Sequence, residues 1–148
     1  MKKVIIISFL FCVNHLFAQA DPVSWNFSAK KIKANSYEIH LSATVQPPWH
    51  IYSQHTPAGG PVASVISFAK NPVVSLDGGV LEKGNEIMKH EEVFKVDVRF
   101  FNGTVDFVQK VNVKAKIKTN VSGSIKYMVC NDKECLAPKT VPFNIEIK

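Results

Sequence analysis

The ten residues Ser36–Val45, "SYEIHLSATV", alternate without interruption: Tyr37, Ile39, Leu41, Ala43 and Val45 fall on one side, Glu38, His40, Ser42 and Thr44 on the other. A period of two with one apolar face is the signature of a β-strand buried on one side and wet on the other. The stretch 105–118, "VDFVQKVNVKAKIK", reads the same way, with Val105, Phe107, Val111, Val113, Ala115 and Ile117 set against Lys110, Asn112, Lys114, Lys116 and Lys118.

Outward from these two, further strands are expected at 23–30 "VSWNFSAK", 64–69 "SVISFA", 93–101 "VFKVDVRFF", 124–129 "SIKYMV" and 140–148 "TVPFNIEIK". Turn chemistry separates them at Pro47-Pro48, Gly59-Gly60-Pro61, Asp77-Gly78-Gly79 and Asn102-Gly103. No segment has the spacing of an amphipathic helix. Seven to nine short antiparallel strands, each burying one face, need a second sheet to cover them, so the expected fold is all-β, an immunoglobulin-like antiparallel β-sandwich. Two stretches break the pattern, 46–61 "QPPWHIYSQHTPAGGP" and 82–94 "EKGNEIMKHEEVF", and read as loops that carry a site.

Residues 1–20, "MKKVIIISFLFCVNHLFAQA", combine two lysines, a short apolar run and a terminal Ala18-Gln19-Ala20. This is the pattern of a secretory signal peptide with cleavage before Asp21, leaving residues 21–148 as one exported domain. No later apolar run is long enough to span a bilayer, so no membrane insertion is expected after cleavage. Loss of the two leader lysines lowers the net charge from +6 to +4. Nearly all the positive charge is lysine, with Arg99 the single arginine, which argues against a nucleic-acid partner, since phosphate and base-edge recognition favours the arginine fork.

With Cys12 in the leader, the exported domain holds one pair of thiols, Cys130 and Cys135, and an oxidising compartment makes a disulfide their default state. Taking 124–130 and 135–148 as the arms of a hairpin makes Asn131-Asp132-Lys133-Glu134 its loop and sets the cysteines opposite each other. Opposed residues have Cα separations of about 4.5–5.5 Å, which a disulfide can bridge. Such a bond closes a short loop and stabilises by roughly 2 kcal/mol, less than one joining distant strands. That tilts the reading toward an exchangeable bond, with a structural clip as the alternative. Zinc asks for four ligands, and two thiols with His40, His50, His55 and His90 scattered elsewhere do not supply the spacing; copper held by a cysteine, Met128 and a histidine remains a rival.

Four features in order, "WHIY" at 49–52, "HEEVF" at 90–94, the late cysteine pair and "CLAPKTVPF" at 135–143, resemble the amino-terminal periplasmic domain of DsbD, the thiol:disulfide interchange reductase of Gram-negative bacteria. The resemblance implies an immunoglobulin-like sandwich with a redox couple on a hairpin, Cys130 and Cys135, of which Cys135 is the more exposed member that forms the mixed disulfide. It implies a cap loop at Glu91, Glu92, Val93 and Phe94, with Phe94 or Val93 shielding the bond and the two glutamates tuning or relaying a proton. His50 and Tyr52 fall where the family sets aromatic side chains against the cysteines. The implied function is periplasmic electron relay from a thioredoxin-like domain or membrane thiol reductase to oxidised client proteins. It uses side chains alone, with no cofactor and no metal. The membrane section and thioredoxin domain of the full reductase are not in this sequence, so the expectation is a separate membrane partner, with a stand-alone relative that has another partner or none as the alternatives. The rival class is an exported immunoglobulin-like binding module with a structural disulfide.

Overall fold

The computed structural model describes residues 21–92, 94–114 and 117–148; the expected signal peptide, Val93, Ala115 and Lys116 lie outside the described residues. Nine strands form two antiparallel sheets, with no helix among the described residues. The alternating stretch is β2 (Ser36–Val45), in which Ile39, Leu41 and Ala43 are completely buried. It pairs with β1 (Val23–Lys33) on one side and β6 (Val96–Val113) on the other.

β6 organises the larger sheet. One edge pairs first with β3 (His50–Tyr52), at Phe100 to Asn102, and then with β2, at Thr104 to Asn112. The other edge pairs along its whole length with β5 (Val74–Glu91). Gly103, at φ 74°, stands at the junction between the two partners. Asn102-Gly103 is therefore a step within one strand rather than the expected turn, because β2 and β3 continue in the same direction past the Pro47-Pro48 corner and both need a partner.

Asp77-Gly78-Gly79 is likewise no turn. The β5 register jumps between Asp77 and Leu81, a bulge that takes up extra residues without ending the strand. The bulge has an internal partner: the amide of buried Gln109 donates to the carbonyls of Asp77 and Gly78, each at 3.2 Å, and of Lys110 at 2.8 Å. The polar stretch 82–94, expected as a connection, is mostly the second half of β5. Its side chains are polar because this edge strand is wet, and periodicity cannot distinguish a wet strand from a loop.

The smaller sheet has the order β4 (Val65–Phe68), β7 (Thr119–Tyr127), β9 (Lys139–Ile147). Its apolar face, with Val121, Ile125, Tyr127, Phe143, Ile145 and Ile147, packs on that of the larger sheet to make the sandwich core. This is the immunoglobulin-like architecture expected from the alternation. Ile117, expected to extend the β6 face inward, lies beyond the end of that strand and is 49 % exposed.

Candidate functional site

The site arises where the chain changes sheets. Tyr127 pairs with Lys139 as the last rung of the smaller sheet; two residues on, β8 (Val129–Cys130) pairs with β3 of the larger sheet, His50 opposite Cys130 and Ile51 opposite Val129. The arms of the hairpin are thus β7 and β9, and the cysteines sit on its extension rather than on continuous arms. The loop closes by a local device: Asn131 Oδ1 accepts from the backbone N–H groups of Lys133 and Glu134, each at 2.8 Å, and the Asn131 N–H donates to the Glu134 carbonyl at 2.9 Å. This brings Cys130 and Cys135 together as a disulfide with Cα atoms 4.0 Å apart, closer than the separation expected for opposed residues, because their pairing is an isolated bridge at a tight turn.

The two sulfur residues face different surroundings. Cys135 is exposed, whereas Cys130 is 2 % exposed. A second apolar cluster accounts for the difference. On the face of the larger sheet turned away from the sandwich core, Tyr52, Val98, Phe100 and Cys130 pack together, flanked by Ile87, Val96 and Met128. The segment after β3 folds over this cluster. The Thr56 hydroxyl donates to the Arg99 carbonyl at 2.6 Å, Ser64 Oγ donates to the Tyr52 carbonyl at 2.5 Å, and the Val62 N–H donates to Met128 Sδ at 3.3 Å. Gly60 lies so close that a methyl group there would stand 3.1 Å from Val96 Cγ2 and 3.8 Å from Phe94 Cβ.

Cross-strand partners share a face, so Ile87, Lys89 and Glu91 of β5, opposite Phe100, Val98 and Val96, line the same surface as Cys130. Lys89 and Glu91 form an ion pair at 2.9 Å, and the hydrogen bond to Glu91 raises the Lys89 pKa. His50 Nε2 lies 3.1 Å from the Tyr52 hydroxyl, and its ring packs on Phe100 at a centroid distance of 4.4 Å. Burial holds the His50 pKa below its usual 6.5 against the opposing charges of Asp132 and Glu91, while Lys89 adds to the lowering. Burial and then Glu91 push the Tyr52 hydroxyl up to about 12.

The structure thus brings Cys130, Cys135, His50 and Tyr52 together and sets Glu91 at the margin, as the last residue of β5 rather than part of a loop. Glu92 is exposed on the following turn, where the N–H groups of Phe94 and Lys95 donate to the Glu91 carbonyl at 3.1 and 2.8 Å, with Lys95 at φ 54°. Phe94 is 43 % exposed, so it does not continue inward the alternation of partly buried Val96 and buried Val98. Val93, the other candidate shield, lies outside the described residues. Sequence reasoning missed Val98 and Phe100, and named Met128 only as a copper ligand, not as part of the apolar packing beside Cys130. The signal was the Phe100-Phe101 doublet: adjacent large apolar residues in a strand point to opposite faces, and both are buried here. Among the described residues no group of three or more His, Cys, Asp or Glu side chains is placed to hold a metal ion.

A two-layer immunoglobulin-like sandwich that carries a half-exposed disulfide at the tip of a sheet-switching hairpin belongs with the thiol:disulfide interchange domains. The chain is a member of the family of the amino-terminal domain of the thiol:disulfide interchange protein DsbD, whose family model matches residues 16–146. The solved N-terminal periplasmic domain of ScsB from Proteus mirabilis shares the fold, with a TM-score of 0.61 at 16 % identity over 86 % of this chain. The chain spans 47 % of that structure's length. No curated protein matches it.

Proposed function

We propose that residues 21–148 form an exported periplasmic domain, released from a leader at residues 1–20, that relays electrons through the Cys130–Cys135 couple. A thioredoxin-like domain or membrane thiol reductase reduces the disulfide, and the dithiol reduces oxidised periplasmic proteins. The single observation that supports this most is the unequal burial of the two cysteines, since exchange is set by which sulfur an incoming thiolate can reach.

The steps balance with side chains alone. A partner thiolate attacks Cys135 Sγ, and the Cys130 sulfur leaves with the electron pair and takes up a proton. The partner's second thiol then attacks its own sulfur in the mixed disulfide and releases Cys135, so two electrons and two protons have moved. In the second half the Cys135 thiolate attacks a client disulfide, and Cys130 attacks Cys135 to expel the reduced client. Glu91, on the face that carries Cys130, and the exposed Glu92 tune the field in which the thiols ionise, and the turn bearing Phe94 acts as the lid that a docking partner displaces.

The modest stabilising value of the bond supports the same reading. The bond closes a loop whose base is already held by the β7 and β9 pairing, so it adds only roughly 2 kcal/mol. The test is the reduction potential of the couple: exchange requires a value clearly above about −300 mV, and a value below it makes the domain a binding module with a structural clip. A Cys130→Ala variant, with Cys135 as its remaining thiol in the exported domain, should capture a thioredoxin-like protein covalently.

A further inference from the structure

One residue is placed to accept a proton from Cys130. Cys130 is surrounded by apolar side chains, where a thiolate is poorly solvated, yet it must ionise each time it attacks Cys135 to expel a bound client. The group directly across the strand pair is His50, with the two side chains on one face of the sheet at a Cβ separation of about 4.5–5.5 Å. We infer that His50 is the proton acceptor that activates Cys130 for the resolving step, so that the chain carries its own general base beside the buried sulfur.

The other titratable groups facing this spot are unsuited to the task. Tyr52, on the same strand, keeps its proton at neutral pH because its hydroxyl titrates near 12. Glu91, from β5, is engaged in an ion pair with Lys89 at 2.9 Å, and Lys89 is itself a cation throughout the neutral range. Asp132, on the exposed cysteine loop, acts on His50 through its charge. His50 alone combines proximity with an unprotonated ring at neutral pH, since burial keeps its pKa below 6.5. The Tyr52 hydroxyl, 3.1 Å from Nε2, and the Phe100 ring hold the imidazole in place.

In the step itself the Cys130 S–H proton passes to a His50 ring nitrogen and the Cys130 thiolate attacks Cys135 Sγ. The Cys130–Cys135 bond forms as the Cys135–client bond breaks, and the departing client sulfur takes the electron pair and then a proton from the imidazolium. Nothing outside the two proteins is consumed.

This inference rests on the exchange reading above, and a two-phase experiment separates their failures. Reduced protein is mixed with 5,5′-dithiobis(2-nitrobenzoate) in a stopped-flow instrument. Attack by Cys135 releases the first thionitrobenzoate and resolution by Cys130 releases the second. His50→Gln and His50→Phe should leave the first phase near the wild-type rate and slow the second by about a hundredfold at pH 7, the lower end of what a positioned base supplies. The second phase of the wild type should show an inflection below pH 6.5 that the variants lack. Free imidazole should restore the rate of His50→Ala, which a purely structural role would not permit. A second phase in the His50 variants that keeps the wild-type rate and pH profile overturns the inference and leaves the exchange reading intact. A wild-type disulfide that stays fully oxidised in equilibrium with a glutathione buffer poised as in the exported compartment overturns both.

Discussion

Tyr127 and Lys139, the last paired residues of β7 and β9 before the cysteine loop, both donate to the same oxygen of Asp21, each at 2.6 Å. The other Asp21 oxygen accepts from the Val23 N–H at 3.0 Å. One carboxylate therefore ties the start of β1 to the base of the hairpin. Beside it a cavity of about 230 Å³ is lined by Asp21, Tyr127, Val129, Leu136, Ala137 and Lys139, so the neighbours of both cysteines border it.

Replacing Asp21 with Ala should lower stability by roughly 1–3 kcal/mol, because the buried Tyr127 hydroxyl loses its acceptor. Burial opposes ionisation of Asp21, but the bonds from Lys139, Tyr127 and the Val23 N–H outweigh it, and the pKa falls below 3.8. Its stabilisation is thus complete above the unfolded value and is lost as pH falls through the lowered folded value. Urea midpoints measured from pH 2 to 7 should show a steeper acid loss in the wild type than in Asp21→Asn. Parallel curves would show that Asp21 contributes nothing through its charge.

Reduction of Cys130–Cys135 should leave the domain folded. The wild type should lose roughly 2 kcal/mol in urea with dithiothreitol, with the far-ultraviolet circular dichroism unchanged. Collapse of the β signal on reduction would mean that the bond holds the sandwich together, against the pairing of β7 with β9.

Phe94→Ala should speed reduction of the disulfide by a small thiol such as glutathione severalfold while shifting stability by no more than about 0.5 kcal/mol, since the ring is 43 % exposed and adds little to the core. Gly60→Val should act on the same lid from beneath, because its side chain would press on Val96, Val98 and Phe94. Unchanged reduction rates in both variants would remove the 91–95 turn from any covering role.

Gly123→Ala should be among the most damaging single-methyl additions, costing roughly 3 kcal/mol. The added carbon would stand 2.1 Å from the Ser67 carbonyl oxygen and 2.6 Å from Phe143 Cζ. Neither is the free end of a flexible chain, so β4 or β9 must move away from β7. A melting temperature equal to that of the wild type would show that the small sheet yields more easily than its packing implies.

The larger part of the fold was legible in sequence because strands buried on one face must alternate, and β2, β7 and β9 do. Reading failed where a strand is wet or buried on both faces. β5 looked like a polar loop because its side chains face water and its glycines form bulges. β6 looked like two strands because Asn102-Gly103 carries turn chemistry, yet the chain uses it to pass from one partner to another. The same effect concealed part of the site: alternation marks Val98 and Phe100 as an apolar face but not that this face points away from the sandwich core, where the folded 53–64 segment covers it.

By itself the sequence determined that two sheets would stack and that two cysteines would meet at a turn, because period-two burial and a four-residue loop are local properties. That Cys135 is the more exposed sulfur and that His50 stands by the pair came from resemblance alone, and the tertiary structure supplies the physical cause: Cys130 is buried and pairs directly across from His50. Those depend on the chain changing sheets after Tyr127, a long-range pairing of β8 with β3 that no local pattern encodes.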